Sequence, residues 1–228
     1  GVRPSISMPH IYVQDNIQGT LNLLELARES KIKNFVFGSS SSVYGGNKKI
    51  PFSENDEVNN QISPYGVTKR SCELLCKTYH NLYGINITCL RFFTVYGPRG
   101  RPDMAIYKFA QMINEGRDIE VYGDGTSKRD YTYISDVVKG ILLASEKNNG
   151  FEIINLGDNN PILLKNVVSL IENNFGKKAK IKQRQKQQGD MDFTYADVSK
   201  AEKLLGWSPE VKFDEGIKKF VEWFRKSN

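Results

Sequence analysis

The chain has 228 residues, with 32 Lys+Arg against 26 Asp+Glu, 39% hydrophobic positions and 25% charged ones. Twelve Phe, eleven Tyr and two Trp supply bulk for a sizeable core, which excludes intrinsic disorder as the main state. No run of about eighteen apolar residues occurs, so no membrane span is expected, and a net charge of +6 fits a nucleic-acid binder and an enzyme of anionic metabolites equally well.

The opening Gly1-Val2-Arg3-Pro4 carries neither an initiator Met nor a targeting pattern. From about Pro9 to Ser30 apolar residues recur at helical spacing (Ile17, Leu21, Leu24, Ala27), and Asn34 to Phe37 then reads as a short buried strand. A second helix is expected from Tyr65 to Tyr83, opened by Ser63-Pro64 and closed by Gly84, with a strand from Ile87 to Phe93 feeding the turn Tyr96-Gly97-Pro98. Successive helix-strand units imply a parallel sheet.

Beyond Gly97 the rhythm loosens. Helices are expected near Met104 to Asn114, Ser135 to Ser145 and Lys165 to Asn174, and strands near Ile119 to Tyr122 and Phe151 to Leu156. The basic run from Lys177 to Lys186 alternates in part, as the wet face of a strand does. Ser199 and Glu202 have capping-box spacing ahead of a helix ended by Gly206, and a last helix is expected near Phe213 to Arg225. The expected fold is α/β: a partial doubly wound, Rossmann-type parallel sheet over residues 1–96, and a smaller mixed α/β domain over 97–228 from which some segments return to the first sheet.

The three cysteines, Cys72, Cys76 and Cys89, cannot all pair with one another and have no zinc-type spacing with His10 or His80. They read as reduced core residues of a cytoplasmic protein, and no metal is expected. A doubly wound dinucleotide fold carries a glycine-rich turn after its first strand, and no G-x-G-x-x-G occurs here: Gly123-Asp-Gly125 starts the pattern, but Lys128 takes the third glycine's place. At roughly 30 residues per βαβ unit, about 80 to 100 residues of opening strands and helices are unaccounted for. The chain therefore reads as the C-terminal two thirds of a larger enzyme, inactive by itself.

Chemistry concentrates around Tyr65-Gly-Val-Thr-Lys69. A phenol and an ammonium one helical turn apart share a face, and a cation about 4 to 6 Å away favours the phenolate, so the pair can act as a general base. Alone, Y-x-x-x-K is weak evidence. Its context strengthens it, because the strand Asn34 to Phe37 runs into Gly38-Ser39-Ser40-Ser41-Ser42-Val43-Tyr44-Gly45, placing hydroxyls at the carboxyl end of a parallel strand, where open α/β sheets bind ligands.

Ser40, Tyr65 and Lys69, together with Asn16-Ile-Gln-Gly-Thr20, Arg91-Phe-Phe-Thr-Val-Tyr-Gly-Pro98, Arg129-Asp-Tyr131 and Tyr195-Ala-Asp197, fall in the order seen in extended short-chain dehydrogenase/reductases. The chain resembles their nucleotide-sugar epimerase/dehydratase branch over essentially its whole length. Within that branch Ser-Ser-Ser-Ser-Val-Tyr-Gly, Thr94 and Gly100-Arg-Pro-Asp-Met-Ala105 look most like UDP-glucuronate 4-epimerases. The resemblance implies NAD as cofactor, with Asn16, Ser39, Tyr65, Lys69 and Phe93 at cofactor-contacting positions. It implies that Ser40 hydrogen-bonds the reacting 4-hydroxyl, that Tyr65 takes its proton as hydride passes to NAD, and that the 4-keto sugar turns over and receives the hydride on its other face.

Ser41, Ser42, Thr94 and Arg101 would then surround the sugar carboxylate, and Arg129 and Asp190 would hold the UDP end. The resemblance also implies a homodimer through the helices near 9–30 and 65–83, with a UDP-sugar as substrate and neither nucleic acid nor membrane as partner. UDP-glucose 4-epimerase is the main alternative, weakened by Gln187 where those enzymes usually place a diphosphate-binding Arg. Sugar dehydratases and decarboxylases need an acidic residue where Ser41 and Ser42 stand. A truncated fragment that binds nucleotide sugar without turnover is the reading from another class.

Overall fold

In the computed structural model, which describes residues 1–185 and 193–227, the parallel sheet is built from β1 (Asn34–Ser40), β2 (Asn86–Phe92) and β6 (Phe151–Leu156), in the order β1-β2-β6. Both pairings are parallel and in register, with Ser39 opposite Arg91 and Ser40 opposite Phe92. The middle strand is buried on both faces, as its run Ile87-Thr-Cys-Leu-Arg91 requires in a sheet covered by helices on either side.

On one side lie α3 (Gly19–Glu29) and α4 (Pro64–Tyr83). The chain reaches α3 through α1 (Val2–Ser7), α2 (Pro9–Tyr12) and a π-helical stretch, Val13–Gln18. The expected helix from Pro9 to Ser30 is thus one helical path with a widened turn inside it, and α1 was not anticipated. The α4 start is set by Ser63, whose hydroxyl accepts from Gly66 N at 3.1 Å, with Pro64 as the first helical residue, and its end by Gly84 in the left-handed conformation. Leu24, Ala27, Cys72, Cys76, Tyr79 and Cys89 fill the layer between these helices and the sheet, and all three thiols are free and buried.

On the opposite side α6 (Ile134–Glu146) and α8 (Ser199–Leu205) cover the sheet around Trp207, whose indole donates to Asp136 O at 2.8 Å. The expected capping box of α8 is not formed. Its N-cap is Val198, and Asp197, one position earlier, accepts from Ser199 N, because the chain enters this helix from an extended bridge between Phe52 and Ala196 that fixes Asp197 instead.

A second body holds β3 (Thr94–Tyr96), β5 (Lys128–Tyr133) and β7 (Pro161–Leu163) in one sheet, and β4 (Asp118–Tyr122) with β8 (Lys180–Arg184) in another. Strands β5 and β7 were not expected from the sequence, whereas β8 realises the alternating basic run as a fully exposed strand. Helices α5 (Ala105–Asn114), α7 (Leu164–Phe175) and α9 (Phe213–Ser227) pack around them. In α9 the buried positions Phe213, Gly216, Ile217, Phe220, Val221 and Phe224 form one stripe at helical spacing. The α/β class stands, and β6, from beyond residue 96, pairs with β2. Among the described residues no helix is long and apolar enough to cross a membrane, and no cluster of His, Cys, Asp and Glu is placed to hold a metal.

Candidate active site

The carboxyl end of β1 and the start of α4 converge. Ser40, the last residue of β1, is 8% exposed and caps the short turn Ser41–Tyr44, accepting from Ser42 N at 3.1 Å. Of the groups around the Tyr65 phenol, Ser40 is one that favours its ionised form. Lys69, one turn further along α4, donates to Gly38 O at 2.8 Å and stands 6.0 Å from the centre of the Tyr65 ring. The three residues expected to carry the reaction are therefore brought together by two elements that are 24 residues apart between their ends, Ser40 and Pro64 (64 − 40 = 24).

The electrostatics differ from the sequence expectation. Burial pushes the Tyr65 phenol above its ordinary value, and the Ser40 hydrogen bond and the Arg101 charge pull it part of the way back. Burial also lowers the Lys69 ammonium. The expectation that the adjacent Lys69 cation lowers the phenol is corrected accordingly: one Lys69 N–H goes to the Gly38 carbonyl, and burial is the largest influence on the phenol, which it raises.

Ser41 and Ser42 are half-buried on the turn after β1. Thr94 opens β3, two residues past Phe92, the register partner of Ser40, so it lies beside the same end of the sheet. Arg129 is on β5, two residues before Tyr131, the register partner of Thr94. Arg101 is exposed and holds the Asp103 carboxylate in a two-pronged ion pair, with its Nε donating at 3.0 Å. Asp190, and Gln187 with it, lies outside the described residues.

Three cofactor-site expectations meet side chains turned elsewhere. Ser39 is 3% exposed and donates to Glu73 at 2.7 Å, the Phe93 ring packs with Tyr44 and Phe52, and the Asn16 amide donates to Thr68 Oγ1 at 2.9 Å. For Ser39 and Phe93 the main chain is what remains to meet a ligand.

Sequence reasoning passed over Ser5 and Tyr12. The Ser5 hydroxyl accepts from Tyr65 N at 3.1 Å, satisfying a donor that the first turn of α4 leaves open, and Tyr12 meets the Tyr65 ring edge-on at 6.0 Å. Neither carries a sequence signal, since each acts across more than fifty residues. Glu73 and Arg91, buried beneath the site, were also passed over as functional candidates.

The whole arrangement has close counterparts. The family model described as GDP-mannose 4,6 dehydratase matches residues 1–220. The chain is 47% identical to a UDP-glucuronate 4-epimerase of Thermodesulfobacterium geofontis, over 100% of its own length and 70% of that protein's. Among solved structures, UDP-glucuronic acid 4-epimerase from Bacillus cereus, in complex with UDP-glucuronic acid and NAD, superposes with a TM-score of 0.90 at 38% identity, covering 95% of this chain and 69% of the other. MoeE5 in complex with UDP-glucuronic acid and NAD gives a TM-score of 0.96 at 35% identity, covering 100% and 77%. With its hydroxyl, phenol and ammonium set at the end of a parallel strand, the chain belongs to the NAD-dependent nucleotide-sugar epimerase/dehydratase family of the extended short-chain dehydrogenases/reductases.

Proposed function

We propose that the protein is a UDP-sugar 4-epimerase that interconverts UDP-glucuronate and UDP-galacturonate. The observation that carries this reading is the convergence of Ser40, at the carboxyl end of β1, with Tyr65 and Lys69 of α4, a helix tied to that strand by the Lys69 bond to Gly38 O, while the Arg101 fork already grips a carboxylate. Ser40 would orient the 4-hydroxyl and Tyr65 would remove its proton at Oη, then return it to the epimeric alkoxide. The protein's phenol is raised by burial, so the base form depends on Ser40 and Arg101, which both favour the phenolate.

The donor set suits NAD. Lys69 has three N–H donors, one of them on Gly38 O, and stands with Tyr65 at the carboxyl end of β1, where a ribose diol can accept from it. Bound NAD supplies the acceptor and donor of hydride. The residues named above position the sugar for it, and the two bodies of the chain, divided near Tyr96, would grip its two ends, with Arg129 and Asp190 toward the UDP.

UDP-glucose is the second reading, and one observation favours it: the Arg101 fork is occupied by Asp103, so a sugar carboxylate must displace that partner. In a version of the chain extended to the full length of its relatives, Arg101→Ala separates the two. For UDP-glucuronate kcat/KM should fall by a factor equivalent to about 1.5 to 3 kcal/mol of charge-assisted hydrogen bonding, while UDP-glucose is barely affected. Equal losses on both substrates would remove the support for glucuronate.

The same reading includes a homodimer. Leu23 and Leu26 on α3 and Val67 and Leu74 on α4 are each about half exposed, on two helices packed side by side. An apolar surface of that kind on adjacent helices suits pairing with its own copy as a four-helix bundle.

A further inference from the structure

Beneath the site lies a charged cluster that the proposed reaction does not use. Glu73 sits on α4 one turn after Lys69 and two turns after Tyr65, and it is 1% exposed. Its two oxygens receive Nε and Nη2 of Arg91, each at 2.9 Å; Oε1 also receives the Ser39 hydroxyl at 2.7 Å and Oε2 receives Arg70 Nη1 at 3.0 Å. Arg91 is on β2, itself 1% exposed, and is the register partner of Ser39. One carboxylate thus ties the catalytic helix to two adjacent strands at their carboxyl ends.

The pair is expensive as a means of stability. Removing two charges from water costs several kcal/mol per ion, and apolar replacement of such a pair is often neutral or stabilising. Arg91 also keeps a buried Nη1 with no hydrogen-bond partner among the described residues, compensated by the Tyr44 ring 4.8 Å from the guanidinium carbon. Burial pushes the Glu73 carboxyl up, but Arg91, Ser39 and Arg70 more than offset it and hold the group ionised. What the pair supplies that apolar side chains cannot is direction. A carboxylate and a guanidinium meet as two forks in one plane, whereas methyl groups slide.

The consequence is a fixed register between α4 and β1. Ser40 is bonded covalently to Ser39, and Lys69 is hydrogen-bonded to Gly38 on the other side of it, so the strand residues flanking the catalytic hydroxyl on its N-terminal side are both held from α4. Tyr65 projects from the same helix. A slip of α4 along β1 would change the placement of Tyr65 relative to Ser40, one of the two groups that favour the ionised phenol.

We propose that the buried Glu73–Arg91 pair is a positioning device that sets the Ser40–Tyr65 spacing through Ser39. The inference rests on the reading of Tyr65 as the base. Tyr44, on which Arg91 stacks, extends the brace: its hydroxyl donates to Asn155 Oδ1 at 2.7 Å, and Asn155 Nδ2 donates to Phe52 O and Asp197 O, reaching the segment that leads into α8.

The decisive comparison, made in a version of the chain extended to the full length of its relatives, is between Glu73→Gln and the apolar triple variant Ser39→Ala/Glu73→Leu/Arg91→Met, each measured for thermal midpoint, for kcat and KM with UDP-sugar and NAD, and for Tyr65 ionisation by tyrosinate absorbance against the matching Tyr65→Phe background. Glu73→Gln leaves the Arg91 charge unpaired and should lower both midpoint and kcat. The triple variant should regain the parental midpoint yet keep kcat at least about tenfold down with KM within about threefold, and its Tyr65 titration should move to higher pH. Recovery of kcat and of the Tyr65 titration together with the midpoint would overturn the proposal and leave a core ion pair. If Glu73→Gln does not fold, Arg91→Lys, which keeps the charge but loses the fork, should show the same kcat loss at a smaller stability cost, and full activity in it would overturn the proposal equally. The Tyr65→Phe control keeps the two readings apart: turnover retained there defeats the base assignment, whereas turnover abolished there with an unaffected triple variant defeats the brace alone.

Discussion

Gly45 closes the serine turn with φ +53 and ψ −125, a backbone region that side chains avoid, and a Cβ placed on it would lie 2.1 Å from Asn60 O, which is main chain and cannot swing away. That carbonyl accepts from Gly46 N at 2.9 Å, and the neighbouring Gln61 side chain donates to Val43 O and Val58 O, so the segment is tied to the turn from both ends. For Gly45→Ala the conformational cost is about 1 to 3 kcal/mol and the overpacking cost about as much again, together roughly 2 to 6 kcal/mol. At about 2 to 4 °C per kcal/mol for a chain of this size, the midpoint should fall by roughly 4 to 24 °C.

Gly176→Ala is the matched control, since it also has positive φ, +68, but meets nothing within 4 Å. It should cost only the left-handed conformation, about 1 to 2 kcal/mol, and a correspondingly small midpoint shift. Thermal unfolding followed by circular dichroism measures both. Equal shifts in the two variants would refute the reasoning, because they would mean that the Asn60 segment yields and does not hold the serine turn in place.

Three further outcomes are expected, the first two in a version of the chain extended to the full length of its relatives. Tyr65→Phe should lower turnover by about a hundredfold or more with little change in thermal midpoint, since a phenol is lost and the ring packing against Tyr12 is kept; retained turnover in a kinetic assay would remove Tyr65 from the base role. Ser40→Ala removes a group that favours the ionised Tyr65 phenol, so that phenol rises, the base form appears at higher pH, and the acid limb of the kcat profile should shift upward; an unchanged limb would break the link between the two residues. Leu26→Lys with Leu74→Lys places charges on the exposed apolar surface of α3 and α4, and light scattering should show the parent as a dimer and the variant as a monomer with a nearly unchanged circular dichroism spectrum.

How far the sequence reaches can be seen in single residues. Ser63-Pro64 and Gly84 fix the ends of α4 because caps are local chemistry, the apolar stripe of α9 declares a helix through its period, and the short, mostly apolar run of β2 declares a buried strand. Tyr65 and Lys69 could be singled out because they stand one helical turn apart, and Ser40 because the resemblance carried by the motifs implies its role. Strand β7 could not, being three residues that exist as a strand only because β5 lies beside them.

Only the tertiary structure decided the electrostatics and the bracing. Whether Lys69 or burial governs the Tyr65 phenol depends on the position of Gly38 O, and whether Ser39 faces a ligand or the core depends on Glu73, 34 residues away. The Phe52–Ala196 bridge that leads into α8 and the Ser5 bond to Tyr65 N are of the same kind. The physical reason is range. Periodicity and capping are settled within a few residues, whereas desolvation and the choice of hydrogen-bond partner are set by whatever the fold packs alongside, which one stretch of sequence does not contain.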